Sequence, residues 1–474
     1  MIGEYLMEEV IYINKNLNLI KLILIMFVDA GFFYFGTEYW LLSWIGLSLA
    51  SVYALKANFK NSFFVGSMAY FLGNANPHNV LPIFVYGSWI FLNAILFGGT
   101  LMIFKMAIKR WKSWKTILIF ATGVTGYEYI ISLFSPHGTV GSIAYTQADN
   151  LIVIQVASLV GIWGITFIMT MVAANVALLI EYKSFRNIKQ NLITGSVVIF
   201  VILLGLYRLY MPVGEEYVKV GASTVSINLQ QYLVVAENKD PEKVNALIQR
   251  YIDQIDDLAK VGANYMVLPE KIITITSDRD LEKIYEAARR KNICLIIGVS
   301  NHDGAAWKNT AFVVSSVGEK TLQYDKQHLQ TTFENRYTSG NSIGIFENKG
   351  VEICKDMDFT EPSLEYSKQG VGIVFVPALD FHDDAWSHAR VAIIRGVEGN
   401  FSVVRAAQWG LLSASDNRGR VLSKISTDVV DNARIVVQVP VATGNSIYSK
   451  IGDLFAWICI VAFVGGGIIL LKSR

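Results

Sequence analysis

The stretch Gly350-Val351-Glu352-Ile353-Cys354-Lys355-Asp356-Met357-Asp358-Phe359 is the point from which the chain is best read. Val351 and Ile353 make a β-branched, apolar approach that stops abruptly at a cysteine followed by charged residues. That pattern predicts a buried strand whose last residue emerges at a sheet edge or elbow, where a nucleophile would sit. A free thiol is only a few per cent thiolate at neutral pH, so a working cysteine needs a base or a cation beside it. Upstream the chain offers both, Glu270 in Val267-Leu268-Pro269-Glu270 and Lys326 in Tyr324-Asp325-Lys326-Gln327-His328-Leu329.

The three cysteines, Cys294, Cys354 and Cys459, show no paired or CxxC spacing. This argues against a disulfide framework and against a cysteine zinc site. Cys294 lies in the strand-like Ile293-Cys294-Leu295-Ile296-Ile297 and Cys459 in an apolar helix-like run, so both read as packing residues. His328, His382 and His388 have no recognised zinc spacing, so neither a metal nor a cofactor is expected.

At 474 residues the chain exceeds one ordinary domain, and a hydrophobic content of 53% with mean hydropathy +0.39 is too high for a soluble one. A formal charge of +2 gives no global field that would draw nucleic acid. Glu4, Glu8 and Glu9, with no small-residue cleavage site behind the first apolar run, do not fit a cleaved signal peptide.

Apolar stretches long enough for a hydrocarbon core of roughly 30 Å fall at 18–36, 39–55, 61–75, 80–107, 115–135, 150–181, 190–210 and 452–471. Lys56 and Lys60, then Lys109, Arg110, Lys112 and Lys115, then Lys183, Arg186 and Lys189, and finally Lys472 and Arg474 occupy alternate loops or the tail. Such loops face the cytoplasm, as does an N-terminus carrying Lys15 and Lys21, which puts the segment from about 212 to 450 on the other side. Asp29, Glu128 and Gln155 are polar groups within predicted spans, read either as helix contacts beside a wet cavity or as lipid-handling groups. Gly161-Ile162-Trp163-Gly164 and Gly465-Gly466-Gly467 read as close helix contacts.

From Val218 the pattern changes to short apolar runs alternating with charged amphipathic stretches. Strands are predicted at 218–227, 265–268, 293–299, 309–315, 320–324, 351–354, 373–376, 402–406 and 434–439, with helices at 241–258 (N-cap Asp240), 278–291, 363–369 and 386–398. By itself this is a two-layer α/β unit with a mixed sheet. Glu270, Lys326, Glu334 and Cys354 each stand at or just beyond a predicted strand end, the edge where open α/β sheets handle ligands. Taken singly, each Glu or Lys reads as a solvated surface charge and Cys354 equally well as a buried thiol.

Pro269-Glu270, then Tyr324-Asp325-Lys326-Gln327-His328-Leu329 with Glu334, then Glu352-Ile353-Cys354 resemble the three signature segments of the nitrilase superfamily. With the membrane spans, the whole resembles the apolipoprotein N-acyltransferase family. Ala144-Tyr145-Thr146-Gln147 and Gln155 to Phe167 are similar to that family's loop and following helix, and Glu128 to a glutamate of the helix before it. The resemblance implies eight transmembrane helices and an αββα sandwich, divided as a membrane domain 1–211, a catalytic domain 212–447 and a last helix 448–474. It implies a catalytic set of Glu270, Lys326 and Cys354 with Glu334 in support, a membrane phospholipid as acyl donor and a diacylglyceryl-modified apolipoprotein as acceptor. The place implied is the bacterial cytoplasmic membrane, with the catalytic domain on its extracytoplasmic face.

The chain departs from the family where an aromatic and a glutamate usually follow the cysteine, for it has Lys355 and Asp356, and Lys355 is expected to favour thiolate. Thr331-Thr332-Phe333-Glu334 keeps only the glutamate of the usual Pro-Phe-Gly-Glu, Ser135 to Ala144 lacks Phe-Pro-Trp, and Ser226-Ile227-Asn228-Leu229-Gln230 reduces the usual Gly-Asn-Ile-Pro-Gln. These changes bear on substrate identity. Lys355, Asp356, Phe333, Tyr337, Met357, Phe359, Leu379, Phe381, Trp386 and Glu128 are the candidate substrate contacts. Rival readings are a membrane-tethered C–N hydrolase using the same residues with water, an acyltransferase with a different amine acceptor, and a non-catalytic lipid- or lipoprotein-binding protein.

Overall fold

The computed structural model describes residues 20–75, 83–111, 113–182, 188–237, 239–302 and 304–472. Expectations resting on Glu4, Glu8, Glu9, Lys15, Lys112, Lys183, Arg186 and Arg474 lie outside the described residues. Packing divides the chain into two compact units. The first comprises Met1–Leu133, Trp163–Phe200 and Phe455–Arg474, and the second Phe134–Ile162 and Val201–Leu454.

Among the described residues, long apolar helices occupy 20–36, Trp40–Lys56, Phe59–Asn74, Ile83–Trp111, Lys115–Phe134, Ile162–Tyr182, Ile188–Tyr210 and Leu454–Lys472. Five segments among the described residues are long and apolar enough to cross a membrane: Gly87–Trp111, Lys115–Phe134, Ile162–Glu181, Ile188–Tyr210 and Leu454–Lys472. Trp40–Lys56 and Phe59–Asn74, of 17 and 16 residues, are shorter than the roughly 20 a span ordinarily needs. Small residues set the helix approaches. A Cβ on Gly98 would lie 2.1 Å from Ser67 Oγ, and one on Gly466 would lie 2.4 Å from Ile119 Cδ1, whereas Gly465 and Gly467 face nothing within 4 Å. Lys105 is buried and caps the Trp40–Lys56 helix, donating to the carbonyls of Ala54 and Leu55 at 2.8 Å and to that of Ala57.

The predicted span 150–181 is corrected. Asn150 caps a one-turn helix, Leu151–Ile154, and a second, Ala157–Val160, ends at Gly161 in the left-handed region at φ +70°. A continuous helix cannot pass that residue, so the long helix begins only at Ile162. Gly161 therefore marks a break and is also a close helix contact, since a Cβ there would lie 2.6 Å from Cζ of Tyr448 in the helix Ile447–Ile451. Gln155 is not a polar group inside a span either: its Nε2 donates to the carbonyls of Leu151 and Arg418, both at 2.8 Å, within the second unit. That unit takes in 134–162, residues that the sequence assigns to the membrane domain.

The second unit carries two mixed sheets, which replaces the two-layer expectation. The first contains β1 (Glu216–Ser223), β2 (Tyr265–Val267), β3 (Thr274–Ile275), β4 (Cys294–His302), β5 (Trp307–Val314), β6 (Lys320–Asp325) and β13 (Arg434–Val441), in the order β13-β1-β2-β4-β5-β6 with β3 beside β4. The second runs β12-β11-β10-β9-β8-β7, built from β7 (Gly344–Phe346), β8 (Lys349–Val351), β9 (Ile373–Leu379), β10 (Ser402–Gln408), β11 (Leu411–Ser415) and β12 (Val421–Ser426). β3, β7 and β12 escape prediction because each is short or only half-buried, and β11, although largely buried, is also missed.

Alternation along the strands decides the layers. Val220, Val267, Ile296 and Val313 meet Val351, Phe375, Val404 and Leu412 in a core between the sheets. The opposite faces of β4 and β5, through Leu295, Ile297, Val299 and Phe312, pack on Leu247, Tyr251 and Ile255 of the helix Pro241–Lys260 and on Ile284 and Ala288 of Glu282–Lys291. The helix Ala385–Gly399 packs on β10 and β11, giving helix, sheet, sheet, helix. Being buried on both faces from Leu295 to Val299, β4 reads there as an apolar run before it turns polar at Ser300.

Candidate active site

The chain leaves β2 through Leu268-Pro269-Glu270, and Gly298 in β4 lets it pass, since a Cβ there would lie 2.5 Å from the Pro269 carbonyl oxygen. The Glu270 amide then donates to the Ala378 carbonyl at 3.2 Å, tying the first sheet's edge to β9 of the second. Lys326 follows β6 directly and its amide donates to the Asn309 carbonyl at 2.8 Å. Cys354 lies three residues beyond β8 and opens a 3₁₀ turn, Cys354–Asp358, at φ +45°. A left-handed cysteine is strained, and strain of this kind gathers at functional sites. The strand expected over 351–354 thus ends early, and the elbow falls at the cysteine itself.

These chain ends bring Glu270, Lys326 and Glu334 together, all nearly solvent-free. Lys326 Nζ donates to Glu270 Oε1 at 2.9 Å and to Glu334 Oε2 at 3.0 Å. Three further groups complete the network. Asn309 Nδ2 lies 2.5 Å from both Glu270 Oε1 and Glu334 Oε1, Lys271 Nζ donates to Glu334 Oε1 at 2.8 Å, and the Gln330 amide donates to Glu334 Oε2 at 2.8 Å. Burial opposes the charge on Lys326, yet the two glutamates win and hold its pKa well above the usual lysine value. Burial likewise works against ionised Glu334, but Lys326 and Lys271 hold it well below the ordinary carboxylate range. Glu270 Oε2 is buried with no hydrogen-bond partner among the described residues.

Cys354 Sγ stands 3.5 Å from the Leu379 carbonyl oxygen, at the end of β9. Desolvation and the Glu270 charge push its pKa well above the usual thiol value, against the pull of Lys326 and Arg405. The resting sulfur is therefore a thiol, and the expectation that Lys355 favours thiolate is overridden by burial. Beneath it Arg405 holds Asp380 in a two-pronged ion pair, with Nη1 to Oδ2 at 2.7 Å and Nη2 to Oδ1.

The turn after the cysteine is fastened on two sides. Fully buried Asp356 accepts on Oδ2 from Tyr324 Oη at 2.7 Å and from the Ile353 amide at 3.2 Å, and on Oδ1 from the amides of Gln327 at 3.1 Å and His328 at 2.8 Å. Its carboxylate is thus occupied in fixing the lysine loop to the cysteine turn, which does not fit a substrate contact. On the other side Arg395 donates Nε to the Met357 carbonyl at 3.0 Å and Nη2 to Thr139 Oγ1 at 2.9 Å and Tyr145 Oη at 2.8 Å, and pairs with Glu398. The Asp358 carbonyl accepts from the Thr139 amide at 2.9 Å and from its hydroxyl at 2.7 Å.

The remaining predicted contacts divide. Met357 is buried, with Ser363 Oγ 3.9 Å from its sulfur, and is a packing residue. Phe359 stacks on His328 with ring centroids 3.8 Å apart, and Phe333 lies 5.4 Å from Phe381. Tyr337 Oη bonds to Ser300 Oγ at 2.6 Å, and Lys424 Nζ sits 4.4 Å over the Trp386 ring. Glu128 belongs to the first unit, where it accepts from Thr166 Oγ1 at 2.8 Å. The three histidines stay apart: His328 is on Asp356, His382 on Asp428 and His388 on Asp384. Ligand atoms of Asp380, Asp384 and His388 do lie within 4.8 Å of one another, but both Asp380 oxygens already face the Arg405 guanidinium.

Sequence reading missed Lys271, Asn309, Arg405 and Arg395. A signal existed for Arg405, a charged residue flanked by Val403, Val404, Ala406 and Ala407 within β10, but not for Asn309, which sits between Lys308 and Thr310.

A two-sheet sandwich with a lysine clamped by two glutamates at the strand ends defines a carbon–nitrogen hydrolase type of protein, and residues 226–445 match the Carbon-nitrogen hydrolase family. Residues 26–175 match the Apolipoprotein N-acyltransferase N-terminal domain. An apolipoprotein N-acyltransferase of Geobacter metallireducens is 27% identical over 67% of this chain and 67% of its own length. Apolipoprotein N-acyltransferase 1 of Treponema denticola is 22% identical over 86% of this chain and 87% of its own. A crystal structure of an amidase from Nesterenkonia sp. aligns with 51% of this chain and 95% of its own at TM-score 0.42 and 15% identity. The chain belongs to the apolipoprotein N-acyltransferase family of the nitrilase superfamily, and it is a multi-pass membrane enzyme of the acyltransferase class.

Proposed function

We propose that the chain transfers an acyl group from a membrane phospholipid, through a thioester on Cys354, to the α-amino group of the diacylglyceryl-modified N-terminal cysteine of an apolipoprotein. The observation that carries this reading is the buried clamp of Lys326 between Glu270 and Glu334, beside a protonated thiol and an unoccupied Glu270 Oε2. Glu270 takes the proton from Cys354, and the sulfur attacks the ester carbonyl. Lys326 and a backbone N–H near Lys355 stabilise the oxyanion. The C–O bond breaks, the lysophospholipid leaves with the proton from Glu270, and the acyl chain remains on sulfur. The acceptor amine then attacks the thioester, Glu270 receives its proton and returns it to the departing thiolate, and an amide is released. Glu334 keeps Lys326 charged and in place.

In this reading eight helices, at 1–211 and 448–474, anchor a catalytic domain at 212–447, joined by the loop 134–162, on the extracytoplasmic face. The alternation of basic loops with loops that carry no Lys or Arg supports that orientation. Aromatic residues Phe333, Tyr337, Phe359, Phe381 and Trp386 border the acyl route. Cys354→Ala is expected to abolish labelling of the protein by radiolabelled phospholipid; label that survives overturns the nucleophile. Mass spectrometry of lipoprotein N-termini from cells with and without the protein is expected to show an N-acyl group only in the first, whereas release of free fatty acid alone makes it a hydrolase.

A further inference from the structure

Lys355 carries a buried charge that the protein leaves incompletely compensated. The residue is 5% exposed, and its ammonium, with three N–H donors, makes one hydrogen bond among the described residues, to the neutral Gln330 Oε1 at 3.2 Å. No carboxylate lies within ion-pair distance of it among the described residues, whereas neighbouring Lys326 and Lys271 are each paired with Glu270 and Glu334. Buried charges are ordinarily paired, because burial alone penalises the charged form heavily. Here burial lowers the Lys355 pKa, Asp358 offsets this only in part, and Lys326 adds repulsion. His137, on the loop fastened to the same turn, is held down to about 4 by burial and by the Lys355 charge. Beside the cysteine, Lys271 and Lys326 share Glu270 and Glu334, and the Lys355 ammonium is left over as a cation without an anionic partner among the described residues.

We propose that Lys355 is the headgroup-recognition residue of the acyl donor, pairing with the anionic phosphodiester of a phospholipid while the ester carbonyl of the same molecule reaches Cys354 Sγ. This deepens the acyl-transfer reading and rests on it. The geometry suits such a donor. Lys355 and Cys354 are chain neighbours, with Cα atoms about 3.8 Å apart, and in a glycerophospholipid only the glycerol skeleton separates the phosphate from the acyl ester. A grip on the phosphate thus sets the carbonyl at the nucleophile. Free inorganic phosphate offers the same anionic oxygens but no acyl group.

The test measures thioester formation on the full chain in detergent by intact-protein mass. The donors are phosphatidylglycerol and diacylglycerol with the same acyl chains, used with wild type, Lys355→Met and Lys355→Arg. Wild type should prefer phosphatidylglycerol, Lys355→Met should reduce that preference about tenfold to a hundredfold, chiefly through KM, and Lys355→Arg should restore most of it. Inorganic phosphate should slow acylation from phosphatidylglycerol more than from diacylglycerol. An unchanged preference in Lys355→Met, an equal fall with both donors, or equal inhibition of both by inorganic phosphate overturns the assignment. Failure of wild type to form a thioester with either donor instead overturns the acyl-transfer reading on which it rests.

Discussion

Arg395 Nε donates to the main-chain oxygen of Met357 across 3.0 Å, so a helix residue grips the backbone of the turn that begins at Cys354. The same guanidinium reaches Thr139 and Tyr145, whose segment also donates to the Asp358 carbonyl. The position of the cysteine turn therefore depends on a loop more than two hundred residues earlier. Arg395→Met should strand Glu398 as a buried, unpaired carboxylate and cost about 3 to 5 kcal/mol of stability. Hydrogen exchange over 139–145 should accelerate together with exchange over 354–358; acceleration of one segment without the other would separate the two.

Lys326→Met leaves Glu270 and Glu334 facing each other without their shared cation. Loss of about 3 to 5 kcal/mol is expected, with acyl-enzyme formation reduced by at least about a thousandfold, since the partners of a broken buried pair are left uncompensated. Thermal unfolding in detergent and thioester mass spectrometry check the two effects separately. Near-wild-type acylation would show that the lysine is structural.

The thiol pKa of Cys354 is raised, so the neutral form dominates at neutral pH. Alkylation by iodoacetamide should be slow at pH 7 and should climb with pH beyond the range where ordinary cysteines level off. Glu270→Gln removes a charge that raises the thiol pKa, so this profile should shift to lower pH even as acyl transfer is lost. A profile that levels off near pH 8 in wild type would contradict the reading.

Asp356→Asn replaces an oxygen that receives N–H groups with a donor, whichever way the amide is turned. Stability should fall by about 1 to 3 kcal/mol, and acylation should fall through kcat, because the turn holding Cys354 loosens relative to the lysine loop. A change confined to KM would make Asp356 a substrate contact after all.

Glu352 is fully buried, and desolvation, reinforced by Asp356, pushes its pKa up to about 8. The folded protein thus binds a proton that the unfolded chain releases near pH 4.5. Stability is fully present below about pH 4.5 and declines by about 1.4 kcal/mol per pH unit up to about pH 8, where the loss levels off. Glu352→Gln should flatten that decline and stabilise the protein at neutral pH, read from denaturation curves at several pH values. An unchanged slope would relocate the titrating group.

What was legible in the sequence was whatever repeats along it or sits on one segment. The apolar runs gave helices close to where they were expected, and the strands from β4 to β6 followed their apolar or alternating residues, because burial imposes a period on the chain. Glu270, Lys326, Glu334 and Cys354 were visible as reactive types at strand ends. Tertiary structure alone decided that three of them share one clamp, that Lys271 and Asn309 join it, and that Asp356 binds backbone. It also moved 134–162 into the catalytic unit, where Gly161 breaks what hydropathy reads as one helix. The physical reason is that hydropathy is a local sum, whereas hydrogen bonds and ion pairs are made between groups that only folding brings within 3 Å.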